Sequence, residues 1–175
     1  MRDMNLLFLG LISTTLIFTG CHSTKAAKPV TSTAIQSPTN AIADQEPSIR
    51  GKDYKEVAEV RTVHFDFNSA NLRNEDTEIL KKNYDTIVRN PAWEFLIEGH
   101  CDERGTEAYN LGLGQRRATA VRQYYMALGI DGKRIATISY GKEKPMCTEH
   151  NEDCWSQNRR GETKVRLWND APKST

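Results

Sequence analysis

The sequence predicts an α+β fold in which helices pack on one face of a mixed four-stranded sheet, forming a two-layer sandwich. Two long segments repeat apolar side chains with helical spacing, and four shorter segments are continuously apolar or alternate with a period of two. The six segments follow one another in the order β-α-β-α-β-β, which is typical of a single sheet covered by helices. This domain is expected to extend over residues 59–169, with residues 170–175 as a C-terminal tail.

The first strand and the first helix have clear local signals. Val63, Phe65 and Phe67 alternate with polar residues, which predicts a half-buried strand. The segment Asn74–Val88 then places apolar side chains on one helical face, and Asn90–Pro91 ends that helix.

Four further elements complete the predicted sheet and its cover. Trp93–Glu98 is apolar on both faces and is therefore predicted to be a central strand. Asn110–Leu128 has helical periodicity, with Gly129 as its C-terminal stop. Ile135–Tyr140 and Thr163–Trp168 are two more strands, and the polar loop between them allows an antiparallel return.

The N-terminus has the pattern of an exported lipoprotein. The apolar run Leu6–Phe18 is too short to span a bilayer as a helix but suits the signal of a secreted protein. The residues before Cys21 are small, and this ending resembles a bacterial lipobox, in which the cysteine is acylated and becomes the mature N-terminus. Residues 1–20 are therefore a predicted lipoprotein signal peptide, and His22 after the cysteine indicates the outer membrane. An ordinary signal peptide with an incidental cysteine is the alternative.

Residues 21–58 are expected to form a lipidated, flexible tether. Ser, Thr, Ala and Pro dominate the segment, and it has no aromatic residue before Tyr54. Such a composition buries too little apolar area to offset the entropy lost on ordering. About 35 residues of flexible coil have an end-to-end distance of roughly 30–35 Å, which lets the following domain work away from the membrane surface.

Charge and composition exclude some classes of partner. The formal net charge is +1, so no basic excess indicates nucleic acid. No segment implies a cofactor. After the signal peptide, nothing approaches a second membrane segment, so the domain is expected to face the periplasm.

Three cysteines remain if the lipobox cysteine is acylated. An exported protein lies in a compartment that permits disulfides, so Cys147 and Cys154 are the natural pair, and Cys101 is left without an assigned role. Free thiols are one alternative. The other is a metal site, because Cys147, His150 and Cys154 have ligand-like spacing and His100 could be a fourth ligand.

Residues 98–121, EGHCDERGTEAYNLGLGQRRATAV, hold the strongest functional signal. A loop from His100 to Gly105 is predicted to present Asp102, and the following helix presents Arg117. A carboxylate and a guanidinium on neighbouring elements can bind the two charges of an amino-acid end group. From the residue types alone, the same pair could equally form an internal salt bridge.

This segment resembles the signature of the OmpA-like peptidoglycan-binding domains. HFDFNSANL at 64–72, SYGKEKP at 139–145 and NRR at 158–160 match the same family in the same order. The lipobox and tether resemble the layout of the peptidoglycan-associated lipoproteins within it. Cys101 departs from the small or hydroxyl residue usual at its position, and the pair of cysteines near the C-terminus is not general in the family.

The resemblance implies a function and a set of contacts. It implies an OmpA-like sandwich that binds peptidoglycan non-covalently, with Asp102 on the ammonium and Arg117 on the carboxylate of diaminopimelate in the stem peptide. Further ligand contacts are implied at Asn68, Arg104, Asn110 and Arg159, although Asn110 could instead cap its helix and Asn68 could be a plain turn residue. The implied partners are the outer membrane, through the lipid anchor, and periplasmic proteins of a Tol system that serves envelope integrity and cell division.

An enzyme and a protein-docking module are the two other classes of function that the sequence suggests. His100-Cys101-Asp102 suggests a cysteine nucleophile with a nearby base. Successive side chains leaving a strand point to opposite faces, however, so we expect no enzyme. A periplasmic docking module that binds proteins without contacting the glycan is the remaining alternative.

Overall fold

The computed structural model describes residues 46–50 and 52–167, and the predicted elements follow one another there in the predicted order, with one helix added. The strands are β1 (Val63–His64), β2 (Trp93–His100), β3 (Ile135–Gly141) and β4 (Arg160–Leu167), and the helices are α1 (Asn74–Val88), α2 (Glu107–Ala127) and α3 (Glu152–Asn158). The signal peptide, Cys21, the first part of the tether and the C-terminal tail lie outside the described residues. No helix among the described residues is long and apolar enough to cross a membrane.

The four strands form one mixed sheet in the order β1-β4-β2-β3. β2 is central, as its apolar sequence predicted, and it pairs in parallel with β3 and antiparallel with β4. The antiparallel strand that follows β3 is β4, and it pairs with β2 and not with β3, since β4 lies between β1 and β2. This order brings the ends of β1 and β2 together with the start of β4.

The hydrophobic core lies between the sheet and the two long helices, which pack on the same face. Phe95 and Ile97 of β2 point toward the helices, and Leu80 of α1 and Val121 of α2 meet them in one cluster of buried side chains. Burying an apolar side chain of this size contributes about 1.5–3 kcal/mol. The predicted two-layer α+β sandwich is confirmed.

Two glycines set α2 directly against β2. A Cβ atom on Gly99 would lie 1.9 Å from the carbonyl oxygen of Gly114, so neither backbone could approach as closely with a larger residue at position 99. The contact lies next to the end of β2, where the chain enters the loop that carries Asp102. The site described below therefore rests on a rigid junction of strand and helix.

Several element boundaries differ from the sequence-based expectation. β1 has only two residues, and Phe67, predicted to alternate inward, is 58% exposed because the chain turns at Asn68 with a φ of +55°. β2 continues to His100, so the loop begins at Cys101. α3 replaces part of the predicted polar loop before β4.

Contacts with the domain begin earlier in the chain than expected. Lys55 and Val165 exchange two backbone hydrogen bonds of 2.8 Å, which extends the edge of the sheet beyond β1. The Tyr54 hydroxyl donates to the carboxylate of Glu94 on the sheet face opposite the helices. Glu46 accepts hydrogen bonds from Thr137 as well, so several of the last residues of the predicted tether contact the domain.

Candidate ligand-binding site

A cavity of about 190 Å³ lies between the start of α2, the loop after β2 and the turn after β1. Five of the six predicted ligand contacts line it, namely Asn68, Asp102, Arg104, Asn110 and Arg117. These residues come from three separate parts of the sequence, and the order of the strands brings them together. Tyr109, which sequence reasoning did not select, also lines the cavity.

Arg117 forms a buried cationic wall of the cavity. Its side chain is fully buried, and its guanidinium donates to three backbone carbonyls: Nε to Ser69 at 2.8 Å, Nη1 to His100 at 2.8 Å and Nη2 to Asp66 at 3.1 Å. These bonds use three of the five N–H donors of the guanidinium, and the Cys101 thiol is a further hydrogen-bonding neighbour. Burial lowers the pKa of Arg117, but an arginine stays protonated in proteins.

Asp102 supplies the negative charge of the site. Its Oδ2 atom lies 2.6 Å from Nη2 of Arg104 and 3.3 Å from Nη1 of Arg159, and the backbone N–H of Arg104 donates to Oδ1 at 3.1 Å. Burial alone would raise the pKa of Asp102, but these hydrogen bonds outweigh it and lower the pKa below its usual value. Asp102 is therefore ionised at neutral pH.

The internal salt bridge that the residue types allowed between Asp102 and Arg117 is not formed. Among the described residues, Asp102 pairs with Arg104 and Arg159, whereas the donors of Arg117 go to carbonyl oxygens. The two charges that were predicted to bind the ligand are therefore not paired with each other. The carboxylate of Asp102 and the guanidinium of Arg117 line different walls of the same cavity.

Arg104 is held between two aromatic rings. Its guanidinium carbon lies 4.0 Å from the ring centre of Phe67 and 4.2 Å from that of Trp155 on α3. Cation–π contacts of this kind stabilise by about 0.5–1 kcal/mol where they are exposed. The stack explains why Phe67 points out of the core, since it covers the loop arginine.

Arg159 lies behind the cavity and supports its acidic wall. It is buried, and its Nε donates to the Phe65 carbonyl at 3.0 Å while Nη2 lies 2.6 Å from Glu152 and Nη1 contacts Asp102. It does not line the cavity in the structure. Of the six residues predicted to contact the ligand, Arg159 is the one that instead positions another residue, Asp102.

The two asparagines have structural roles beside the cavity. Asn110 does not cap α2, because the helix begins at Glu107 and Thr106 accepts the capping hydrogen bond from Tyr109 at 3.2 Å. The Asn110 side chain instead donates to the Arg104 carbonyl at 2.9 Å. The side-chain amide oxygen of Asn68 accepts from the Tyr109 hydroxyl, which joins the turn after β1 to α2.

Cys101 has the surroundings of an inert thiol. It is buried, and its sulfur lies 3.4 Å from the Asn110 carbonyl oxygen. Burial raises the pKa of Cys101, which disfavours the thiolate that a nucleophile needs. The ring nitrogens of His100 make no hydrogen bond, so His100 does not act as a base for this thiol.

The sulfur atoms of Cys147 and Cys154 are bonded, with their Cα atoms 5.3 Å apart. The alternative of a metal site at these cysteines is therefore wrong, since both sulfurs are used. His150 contacts Glu103 instead, with Nδ1 2.7 Å from Oε1. The bond fixes α3 to the loop after β3, and α3 carries Trp155, which packs on the binding loop.

The family model described as "OmpA family" matches residues 64–159, more than half of the chain. The chain belongs to the OmpA family. The family match confirms the resemblance found in the sequence and agrees with the expectation that the chain is not an enzyme.

Named relatives share this domain. The chain is 46% identical over 101 residues to a protein named peptidoglycan-associated lipoprotein from Rhizobium meliloti strain 1021, covering 58% of this chain and 57% of that relative. The chain therefore spans less than two thirds of that relative's length.

Solved structures agree with the fold. A crystal structure of the peptidoglycan-associated lipoprotein from Burkholderia pseudomallei matches with a TM-score of 0.59 and 40% identity, over 61% of this chain and 90% of that one. The cell wall anchor of the T6SS from Pseudomonas aeruginosa matches with a TM-score of 0.53 and 27% identity, over 61% of this chain and 79% of the other. Both support an OmpA-like sandwich.

Proposed function

We propose that this protein is a lipoprotein of the outer membrane whose periplasmic domain binds peptidoglycan non-covalently and tethers the membrane to the cell wall. The observation that carries the proposal is the cavity of about 190 Å³ with Arg117 on one wall and Asp102 on another. The names of the Rhizobium and Burkholderia relatives, which associate those proteins with peptidoglycan, support it.

The ligand that fits is the zwitterionic end of diaminopimelate in the stem peptide. The guanidinium of Arg117 suits a ligand carboxylate, since its bonds to the three carbonyls do not use all five of its N–H donors. A carboxylate offers about four acceptor positions, and Asp102 uses three of them, which leaves one for the ligand ammonium. The cavity volume corresponds to roughly six water molecules, enough for one amino-acid end group.

The rest of the proposal follows from the family resemblance and the N-terminal sequence. Cys21 carries the lipid, residues 21–58 lead to the domain, and the protein works with periplasmic Tol proteins in envelope integrity and cell division. The domain faces the periplasm.

The test is binding of the full chain, purified in detergent, to isolated peptidoglycan sacculi. A stem peptide that contains diaminopimelate should compete for binding. The matched peptide with lysine at that position lacks the distal carboxylate and should compete at least tenfold less well. Equal competition by both peptides would contradict recognition of the end group, and failure to bind sacculi at all would favour the protein-docking alternative.

A further inference from the structure

A second cluster of polar side chains lies on the sheet face opposite the helices. Glu98 and His100 project from β2, and Glu162, the register partner of Glu98, projects from β4. One ligand atom from each of the three lies within 4.8 Å of the others. Nε2 of His100 lies 3.7 Å from Oε2 of Glu98 and 4.0 Å from Oε1 of Glu162.

The cluster contains buried polar atoms without hydrogen-bond partners. His100 is 1% exposed, and neither of its ring nitrogens makes a hydrogen bond. Tyr140 stacks on the imidazole with ring centres 5.5 Å apart, which orients the ring but satisfies neither nitrogen. A buried polar atom without a partner is costly, so most such atoms in proteins are paired.

We propose that Glu98, His100 and Glu162 bind a divalent transition-metal ion, with zinc as the reference ion. Zinc accepts both imidazole nitrogen and carboxylate oxygen as ligands, and a site with three protein ligands leaves its fourth position to water. Ligand bonds of about 2.1 Å place tetrahedral ligand atoms roughly 3.4 Å apart. The observed separations of 3.7 and 4.0 Å exceed this by a few tenths of an ångström, which small side-chain rotations remove.

The neighbouring cations are compatible with such an ion. Nζ of Lys164 lies 2.9 Å from Oε2 of Glu98 and 3.5 Å from Oε2 of Glu162, but its side chain is 21% exposed and also lies 3.5 Å from the exposed Glu56, toward which it can turn when an ion enters. Arg160 donates to the carboxylate of Glu162 and orients it, as bonds from surrounding groups do at metal sites.

The cluster can be reached from solvent, and it is separate from the ligand-binding cavity. Glu162 lines an open depression together with His64 and Met146. The side chains of the cluster lie on one face of the sheet, whereas α2 and its Arg117 pack on the other. The inference therefore does not rest on the proposed function.

The test uses the untagged full chain in detergent, stripped with a chelator and titrated with Co²⁺ and then Zn²⁺. We expect one ion per chain, with cobalt absorption bands of nitrogen and oxygen ligands and no thiolate charge-transfer band. His100→Asn and Glu162→Gln should each weaken zinc binding at least tenfold. Glu94→Gln is the matched control, because Glu94 is also a buried, ion-paired glutamate on the same face of β2.

Three results would overturn the proposal. The first is failure of the unaltered chain to bind cobalt, which needs no variant and so does not depend on how the variants fold. The second is a thiolate band, which would make Cys101 a ligand. The third is binding that survives His100→Asn but is lost in His150→Ala, which would place the ion at the exposed pair of His150 and Glu103.

Discussion

Replacing Arg117 by alanine should affect both folding and binding, and the structure gives the size of the first effect. The guanidinium satisfies three buried carbonyls, and each acceptor left without a partner costs about 1–3 kcal/mol. Because water can enter the space left by the side chain, we expect a loss of about 3–5 kcal/mol in the free energy of unfolding. That corresponds to a fall of about 12–20 °C in Tm for a domain of this size.

Thermal melting and urea unfolding of Arg117→Ala measure this cost, and Arg116→Ala is the matched control. Arg116 is the neighbouring arginine on α2 and is exposed, so its removal should change the free energy of unfolding by less than about 0.5 kcal/mol. A protein of ordinary stability retains its fold after the larger loss at low temperature. Sacculus binding is therefore compared at 10 °C, where both variants are folded.

At that temperature we expect Arg117→Ala to lose at least tenfold in sacculus affinity and Arg116→Ala to retain it. A Tm of Arg117→Ala within 2 °C of that of the unaltered protein would refute the claim that its three hydrogen bonds stabilise the fold. Unchanged sacculus binding by the folded Arg117→Ala protein would refute the role of Arg117 in binding the ligand carboxylate. The melting temperature and the sacculus affinity are measured separately, so the stabilising role and the binding role of Arg117 are tested independently.

Asp102→Asn should lower sacculus affinity by roughly 10- to 150-fold in the same assay, since a charge-assisted hydrogen bond is worth about 1.5–3 kcal/mol, and full affinity would contradict its role. Cys21→Ser should abolish labelling by radioactive lipid precursors, and normal labelling would exclude this lipidation site. Mass spectrometry without reductant should find Cys147 and Cys154 in a linked pair of peptides whose mass is two hydrogens below that of the free thiols. Reduction should lower the free energy of unfolding by about 2.5 kcal/mol. Free thiols in the unreduced protein would rule out the bond. Burial lowers the pKa of His64 from its ordinary 6.5, so its contribution to stability is present above pH 6.5 and is lost as the pH falls through the folded-state pKa. Urea unfolding at pH 7.5 and 5.5 measures how far the free energy of unfolding falls on acidification. The fall should be smaller for His64→Gln than for the unaltered protein, and an equal fall would contradict this role of His64.

The sequence predicted elements whose signals are local. The bounds of α1 match the expected helix at both ends, because apolar periodicity and an Asn-Pro stop determine them within a short window. The central position of β2 followed from its apolar character on both faces. Gly129, at the end of α2, has a φ of +102° and fits the expected stop.

Features that depend on distant contacts could not be predicted in this way. The alternation that suggested an inward Phe67 continues past the end of β1, and only the contact with Arg104 shows why this ring faces outward. α3 is too short for a helical period to be recognised. Asn151 as a cap before two acidic residues was the one available signal for it, and the helix places Trp155 on the binding loop.

In the candidate site, too, sequence motifs predicted some features, whereas features that depend on distant contacts were missed. Family motifs placed five residues that the structure brings around one cavity, since motif positions carry spatial information that periodicity lacks. They did not reveal that Arg159 lies behind Asp102, because that depends on where β4 inserts in the sheet. Nor did they reveal Tyr109, whose hydroxyl contact with Asn68 joins residues far apart in sequence.

The three carbonyl contacts of Arg117 also determine how the domain would carry mechanical load. A ligand carboxylate pulled outward would transmit tension to the turn after β1, the end of β2 and the body of α2 at once. Because these segments are far apart in sequence, the force would be shared among them and would not peel one loop from the surface. A link between a membrane and a wall that move against each other would benefit from such shared loading.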